Sequence, residues 1–267
     1  MNPKIYYIDQ HDSKLISSFQ GQWRQVPIVT IDCETTGLDP FRDQLTLVGI
    51  GIPAQSGFQC WAFDVHADKN LLNQLTPLLE SKTILKVGHN LLFDWKFLCY
   101  HRASDYLQPT FDTFIANKLL YNGRRDLRHR LEDCVQRELN LKMNKDPKVQ
   151  ISFHGGPYSK EQLQYLSDDL VAPFLLLKPL HEKLKRENLQ TLTALENLCL
   201  HSFAEMSLTG FLIDQQARGQ LEDRLKEELE QERRKLPKIS RQDGSETELN
   251  FNSPKQIKEY FADVFGL

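Results

Sequence analysis

The chain has 267 residues, with 33 Lys and Arg against 36 Asp and Glu and a formal net charge of −3. Hydrophobic residues make up 40% and charged residues 26%, the composition of a soluble globular protein of one large or two modest domains. The small negative charge excludes a histone-like protein that coats nucleic acid through bulk positive charge, but not a nucleic-acid enzyme with a local basic track.

In chain order, Lys4–Asp9 is rich in β-formers and predicts a strand. Asp12 or Ser13 then caps a short helix carrying Leu15, Ile16 and Phe19. Val26–Asp32, Gln44–Ile52 and Gly57–Asp64 predict three more strands, with Gly37 and Pro40 punctuating the first turn. From Asn70 the spacing of Leu71, Leu72, Leu75, Leu78 and Leu79 turns helical. Thr83–Gly88 reads as a short buried strand, followed by helices through Phe93 and Phe97, around Asp112–Tyr121 and around Leu127–Leu139. Asn140–Pro157 is loop-like, and Lys160–Lys185 is a long helical region with an expected break near Pro173. Strands first and helices joining back onto one mixed sheet predict a three-layer α/β domain. Beyond about Leu189 only helices are expected: Gln220–Leu236 with a charge-laced, solvated face, and Ser253–Phe265, separated by a polar loop at Arg241–Thr247.

The five cysteines are scattered, odd in number and without a CxxC pair, which points to a reducing compartment rather than a disulfide framework or zinc site. No signal-peptide pattern opens the chain, and the apolar run Val171–Leu177 is too short to span a bilayer, so a cytoplasmic protein with no membrane partner is expected.

The informative residues are polar groups in apolar places. Asp32 and Glu34 end an apolar strand two residues apart, so the strand period points both at one face and Cys33 at the other. Asn90 and Asp94 lie four apart near the start of a helix, and Tyr165 and Asp169 share a face of a later one. Each pair alone has an ordinary explanation in capping or packing. Together they bring four acids to where a sheet meets its helices. Two bare carboxylates about 4 Å apart repel by about 4 kcal/mol at an effective dielectric of 20, so such a cluster calls for protonation or bound cations. All-oxygen ligands suit Mg²⁺ or Mn²⁺ rather than zinc.

The order Asp-x-Glu-Thr at 32–35, Asn-x-x-x-Asp at 90–94 and Tyr-x-x-x-Asp at 165–169 resembles the three motifs of the DEDDy proofreading exonucleases. In particular it is similar to the 3′–5′ exonuclease domain of family A DNA polymerases of the bacterial DNA polymerase I type. The likeness includes Lys86–Leu91, Phe111–Thr113 and the Leu127–Leu131 segment. His89 departs from the pattern where a glutamine is usual, and Phe93 where a tyrosine is common. The resemblance implies an RNase H-like three-layer fold with a mixed central sheet over residues 1–190, then an all-helical extension over 191–267.

It also implies roles. Asp32, Glu34 and Asp169 would hold one Mg²⁺ (or Mn²⁺), and Asp32 with Asp94 a second; Tyr165 would aim the attacking water. Thr35, Leu38, Asn90 and Phe93 would meet the terminal nucleotide. A core anchor is the alternative for Leu38. Residues 118–148 carry nine Lys/Arg and five Asp/Glu, densest over Arg124–Arg130, where Arg124, Arg125 and Arg128 would meet substrate, a track for phosphates or else a solvated helix. Thr209–Asp214 and Leu249–Gln256 resemble the start of a polymerase thumb, but no palm or fingers segment follows, so polymerisation is not expected of this chain. The expected partners are a single-stranded DNA 3′ end and a polymerase domain or subunit. The resemblance thus implies proofreading-type hydrolysis of DNA from the 3′ end to nucleoside 5′-monophosphates. Two other functions stay open: RNA 3′-end trimming of the RNase D type, which uses the same acids and tyrosine, and a non-catalytic module that binds primer ends or a polymerase partner.

Overall fold

Strands β1 (Lys4–Ile8), β2 (Ile28–Thr35), β3 (Leu45–Ala54), β4 (Gly57–Asp64) and β5 (Leu85–Gly88) form at the segments the sequence predicts. The computed structural model describes residues 3–55, 57–143, 145–240 and 246–266. A sixth strand, β6 (Thr110–Asp112), is too short to show any periodicity in the sequence. The sheet order is β1-β4-β3-β2-β5-β6, with β3 antiparallel to both neighbours and the other pairs parallel. β2 and β3 are therefore central, and their near-continuous apolar runs match a sheet covered on both faces.

One face is covered by α1 (Ser13–Trp23), α2 (Leu71–Leu79) and α3 (Leu91–Tyr100), whose Phe19, Leu75 and Trp95 pack onto Ile31, Ile50 and Phe63. Each such side chain removed from water contributes about 1.5–3 kcal/mol. The other face is covered by α4 (Thr113–Leu120), α5 (Leu131–Leu139) and above all α7 (Lys160–Arg186), whose Leu166, Leu170 and Leu176 meet Leu47, Cys60 and Val87. A four-residue helix, α6 (Pro147–Gln150), interrupts the expected loop at 140–157.

Two helices differ from expectation. α7 is continuous over 27 residues despite Pro173 and Pro179. Its capping box at Ser159 and Gln162 and its buried apolar face outweigh the two missing N–H donors. α5 starts at Leu131 rather than Leu127, because Arg130 is extended and the preceding residues are held by side chains described below.

The described chain divides into two compact units, Met1–Gly210 and Phe211–Leu267. The first includes α8 (Gln190–Thr209), whose Leu200 and Ala204 join the core beside Trp95. The second contains α9 (Gln215–Arg234), a two-stranded sheet of β7 (Lys238–Ser240) and β8 (Glu246–Glu248), and α10 (Pro254–Phe265). Its helices are as expected, but the β7–β8 hairpin departs from the all-helical extension; the expected polar loop falls mostly at 241–245, outside the described residues. α9 buries no residue and carries ion pairs at i,i+4 such as Glu222–Lys226, the solvated face its charges predict. No described helix is long and apolar enough to cross a membrane.

Candidate active site

Ile31 and Cys33 of β2 belong to the core under α3, so alternation turns Asp32 and Glu34 to the face covered by α7. α7 comes close because Gly49 of β3 has no Cβ: one built there would lie 2.8 Å from Leu166 Cδ1. This approach sets Asp169 over the end of β2. Carboxylate oxygens of Asp32, Glu34 and Asp169 all lie within 4.8 Å of one another.

Asp94 arrives from α3. Asn90, at φ 66°, turns the chain into this helix, and the buried Asp112 carboxylate caps it by accepting from Asn90 N at 2.9 Å and Leu91 N at 2.8 Å. One turn on, Asp94 Oδ1 accepts the backbone N–H of Cys33 at 2.8 Å, which binds the start of α3 to β2 beside Asp32.

These carboxyls resist ionisation. Burial, then the charges of Asp169, Asp94 and Glu34, holds Asp32 well above the usual carboxylate range. Burial and Asp169 do the same to Glu34. Burial pushes Asp94 up to about 7 against the pull of the Cys33 N–H, and Asp169 up to about 6 against the pull of Lys145. Glu34 Oε1 is buried without a hydrogen-bond partner. An orphaned carboxyl oxygen among acids whose charges would repel one another fits hard divalent cations bound through oxygen.

Tyr165 packs against Phe153, and burial with Asp169 pushes its hydroxyl up to about 12, so it carries its proton at neutral pH. Lys145 reaches the same place. Its Nζ pairs with the Asp169 carboxylate and donates to the Tyr165 hydroxyl at 3.2 Å. Burial alone would lower its basicity, but Asp169 and Tyr165 hold it charged. Lys145 lies where the expected loop overlaps the end of the 118–148 basic stretch, and no periodicity or motif sets it apart from its neighbours.

The acids open into a cleft of about 1280 Å³, above the roughly 300–1,000 Å³ usual for a small-molecule site. Thr35, Leu38, Asn90 and Phe93 all line it. Leu38 is 80% exposed, which removes the core-anchor alternative. Thr35 Oγ1 donates to the Gly37 carbonyl at 2.6 Å and so shapes the turn beneath Leu38. Of the three arginines expected to face substrate, Arg128 lines the cleft, whereas Arg124 and Arg125 do not, and Arg124 pairs with Asp126 at 2.8 Å. Lys118 and Arg130 of the basic stretch line it as well, and so does Ile151, which the sequence did not single out.

A family model described as a 3′–5′ exonuclease matches residues 8–185. The chain belongs to this 3′–5′ exonuclease family. Membership implies hydrolysis of phosphodiester bonds in nucleic acid, and the family works with two divalent metal ions. The structure of Brucella melitensis NrnC with bound Mg²⁺ is 25% identical, covering 79% of this chain and 95% of that one with a TM-score of 0.63. NrnC bound to pGG is 26% identical, with coverage of 79% and 95% and a TM-score of 0.62. Escherichia coli RNase D, an exoribonuclease involved in structured RNA processing, shares the fold at 16% identity, covering 76% of this chain and 51% of that one with a TM-score of 0.60. The fold is the RNase H-like one of these exonucleases, a mixed sheet between helical layers. The polymerase-type resemblance thus holds at the level of exonuclease family and fold, without singling out polymerase proofreading domains.

Proposed function

We propose that this protein is a 3′–5′ exonuclease that removes nucleoside 5′-monophosphates one at a time from single-stranded 3′ ends, with RNA as its preferred chain. The observation that carries the reading is the convergence of Asp32, Glu34 and Asp169, with Asp94 locked beside them, at the floor of a cleft walled by apolar and basic side chains.

Asp32, Glu34 and Asp169 would hold one cation, and Asp32 with Asp94 the other. Bound there, the ions supply hydroxide near neutral pH and stabilise charge on the leaving 3′ oxygen. Tyr165, protonated and beside Asp169, orients the attacking water by hydrogen bonding. Leu38 and Phe93 pack against the terminal base, Thr35 and Asn90 contact its sugar and strand, and Lys118, Arg128 and Arg130 follow the phosphates behind it.

The preference for RNA rests on the company the chain keeps: NrnC bound to pGG at 26% identity, and an exoribonuclease with the same fold. A second reading, trimming of DNA 3′ ends beside a polymerase partner, draws on the likeness of Thr209–Asp214 and Leu249–Gln256 to a polymerase thumb. The test is direct competition between 5′-labelled RNA and DNA of one sequence, in Mg²⁺. A higher kcat/KM on RNA supports the first reading, a higher one on DNA the second. Tight binding of both without cleavage would leave only a binding module.

A further inference from the structure

Residues 127–129, just ahead of α5, are not helical and their carbonyls accept no N–H of that helix, whose first bond runs from Cys134 N to the Arg130 carbonyl, so their course depends on what else binds them. Two side chains do so. His89 Nε2 lies 3.0 Å from the His129 carbonyl, and Arg137 Nη1 and Nη2 each lie 3.2 Å from the Arg128 carbonyl. Asn117 ties these together: its Oδ1 accepts from Arg137 Nη2 at 2.6 Å and from His129 Nδ1 at 2.9 Å.

The imidazole of His89 has no polar atom left over. A carbonyl only accepts, so Nε2 carries the hydrogen. Nδ1 lies 2.9 Å from Thr113 Oγ1, whose one hydroxyl hydrogen serves either Nδ1 or the Gly88 carbonyl, also 2.9 Å away. Burial pushes the ring down to about 4, which keeps it neutral and able to accept at Nδ1. The ring packs edge-on to Phe114 at 5.6 Å, fixing its plane. A group at the cleft wall with both nitrogens bound to protein holds the wall.

We propose that His89 is a positioning residue, which acts through the His129 carbonyl to hold Arg128 and Arg130 toward the phosphates of a bound strand. The inference rests on the proposed function for the nature of that strand. It also gives a physical reason for histidine where the resembling domains have glutamine: a rigid ring spans from Thr113 to the 128–130 backbone.

The test measures binding and turnover separately. In EDTA, affinity for a labelled single-stranded oligonucleotide is compared between wild type, His89→Phe, His89→Gln and the pair Arg128→Ala/Arg130→Ala. His89→Phe keeps a planar ring but loses both hydrogen bonds, and is expected to weaken binding about five- to tenfold, as for one or two lost hydrogen bonds. The salt dependence should flatten by about 0.7 for each phosphate of a single strand that is no longer neutralised. His89→Gln, which retains a donor, should recover part of the affinity and serves if the phenylalanine variant does not fold. Adding His89→Phe to the double-arginine variant should change nothing further, because both act on one element. In Mg²⁺, kcat on the oligonucleotide should stay within about twofold while KM rises, and kcat/KM on a mononucleotide p-nitrophenyl ester, which has no second phosphate, should not move. Wild-type affinity and salt slope in a folded His89→Phe or His89→Gln protein, or full additivity with the arginine substitutions, would overturn the inference. Oligonucleotide binding by the wild type without cleavage would instead overturn the proposed function and leave the binding comparison intact.

Discussion

Asp94 Oδ1 accepts the backbone N–H of Cys33 at 2.8 Å, so the acid delivered by α3 is fixed to the strand that carries Asp32 and Glu34. Neighbouring carboxylates are thereby held together by the scaffold against their own repulsion. The fold supplies the stability that the cluster costs, and several consequences are measurable.

Replacing Asp32 by asparagine removes, at nearly constant volume, a carboxyl whose ionisation burial and its acidic neighbours oppose. In EDTA at pH 7.5 the D32N protein should melt higher than wild type, by about 2–4 °C for each kcal/mol relieved in a domain of this size. Mg²⁺, which should raise the wild-type midpoint, should raise that of D32N far less. Calorimetry in both conditions checks this, and a lower midpoint for D32N in EDTA would show that its charge is not a burden on the fold.

The pH dependence has a definite sign. Asp94 and Asp169 rise from an ordinary 3.8 to about 7 and about 6, so the folded state holds their protons more tightly than the unfolded chain. Their contribution to metal-free stability is therefore complete below about pH 4 and is lost as pH rises to about 7. Metal binding must displace those same protons, so Mg²⁺ affinity should strengthen between pH 6 and pH 8, by up to about tenfold per pH unit for each proton displaced. Titration calorimetry across this range reads it directly; pH-independent affinity would contradict the assignment of these carboxyls as ligands.

Tyr165→Phe should lower kcat by roughly 10²-fold, the low end for a group that handles a proton in the transition state, with KM little changed. Because the hydroxyl stays protonated until about pH 12, wild-type activity should show no titration attributable to it below pH 10. An unchanged single-turnover rate in the phenylalanine variant would reduce Tyr165 to a packing residue against Phe153.

Lys145 occupies the acid cluster with a positive charge, paired to Asp169 and touching Tyr165. A cation bound by Asp169 has to compete with that ammonium. Lys145→Met should therefore bind Mg²⁺ roughly tenfold more tightly, ~1.4 kcal/mol, and be less stable without metal, since buried carboxylates lose their counter-ion. Weaker Mg²⁺ binding by the variant, measured calorimetrically, would show that the lysine assists the metals rather than competing with them.

The acids were legible in the sequence because each sits on a regular element: Asp32 and Glu34 two residues apart on β2, Asp94 in the first turn of α3, and Asp169 four residues after Tyr165 on α7. Leu38 was legible only through motif resemblance, since it lies in a loop, and Asn90, paired with Asp94 by helical spacing, sits instead in the left-handed turn that precedes α3. Lys145 and the 127–129 carbonyls were not legible, because irregular backbone has no period from which to infer direction. The basic run misled for the same reason. Its charge was plain, but which arginines face the cleft depends on hydrogen bonds from His89 and Arg137, which come from elsewhere in the chain. Pro173 was read as a break by local propensity, which the packing of α7 against the sheet outweighs.

The most direct test of the central claim follows a 5′-labelled single-stranded RNA through single turnovers in Mg²⁺ and in EDTA, with wild type and with Asp169→Asn. The expected result is a ladder shortening from the 3′ end with release of 5′-monophosphates, abolished by EDTA and reduced at least about 10²-fold by the substitution. Undiminished cleavage in EDTA, or by a folded Asp169→Asn protein, would contradict the assignment of Asp32, Glu34, Asp94 and Asp169 as the metal-binding centre of a 3′–5′ exonuclease.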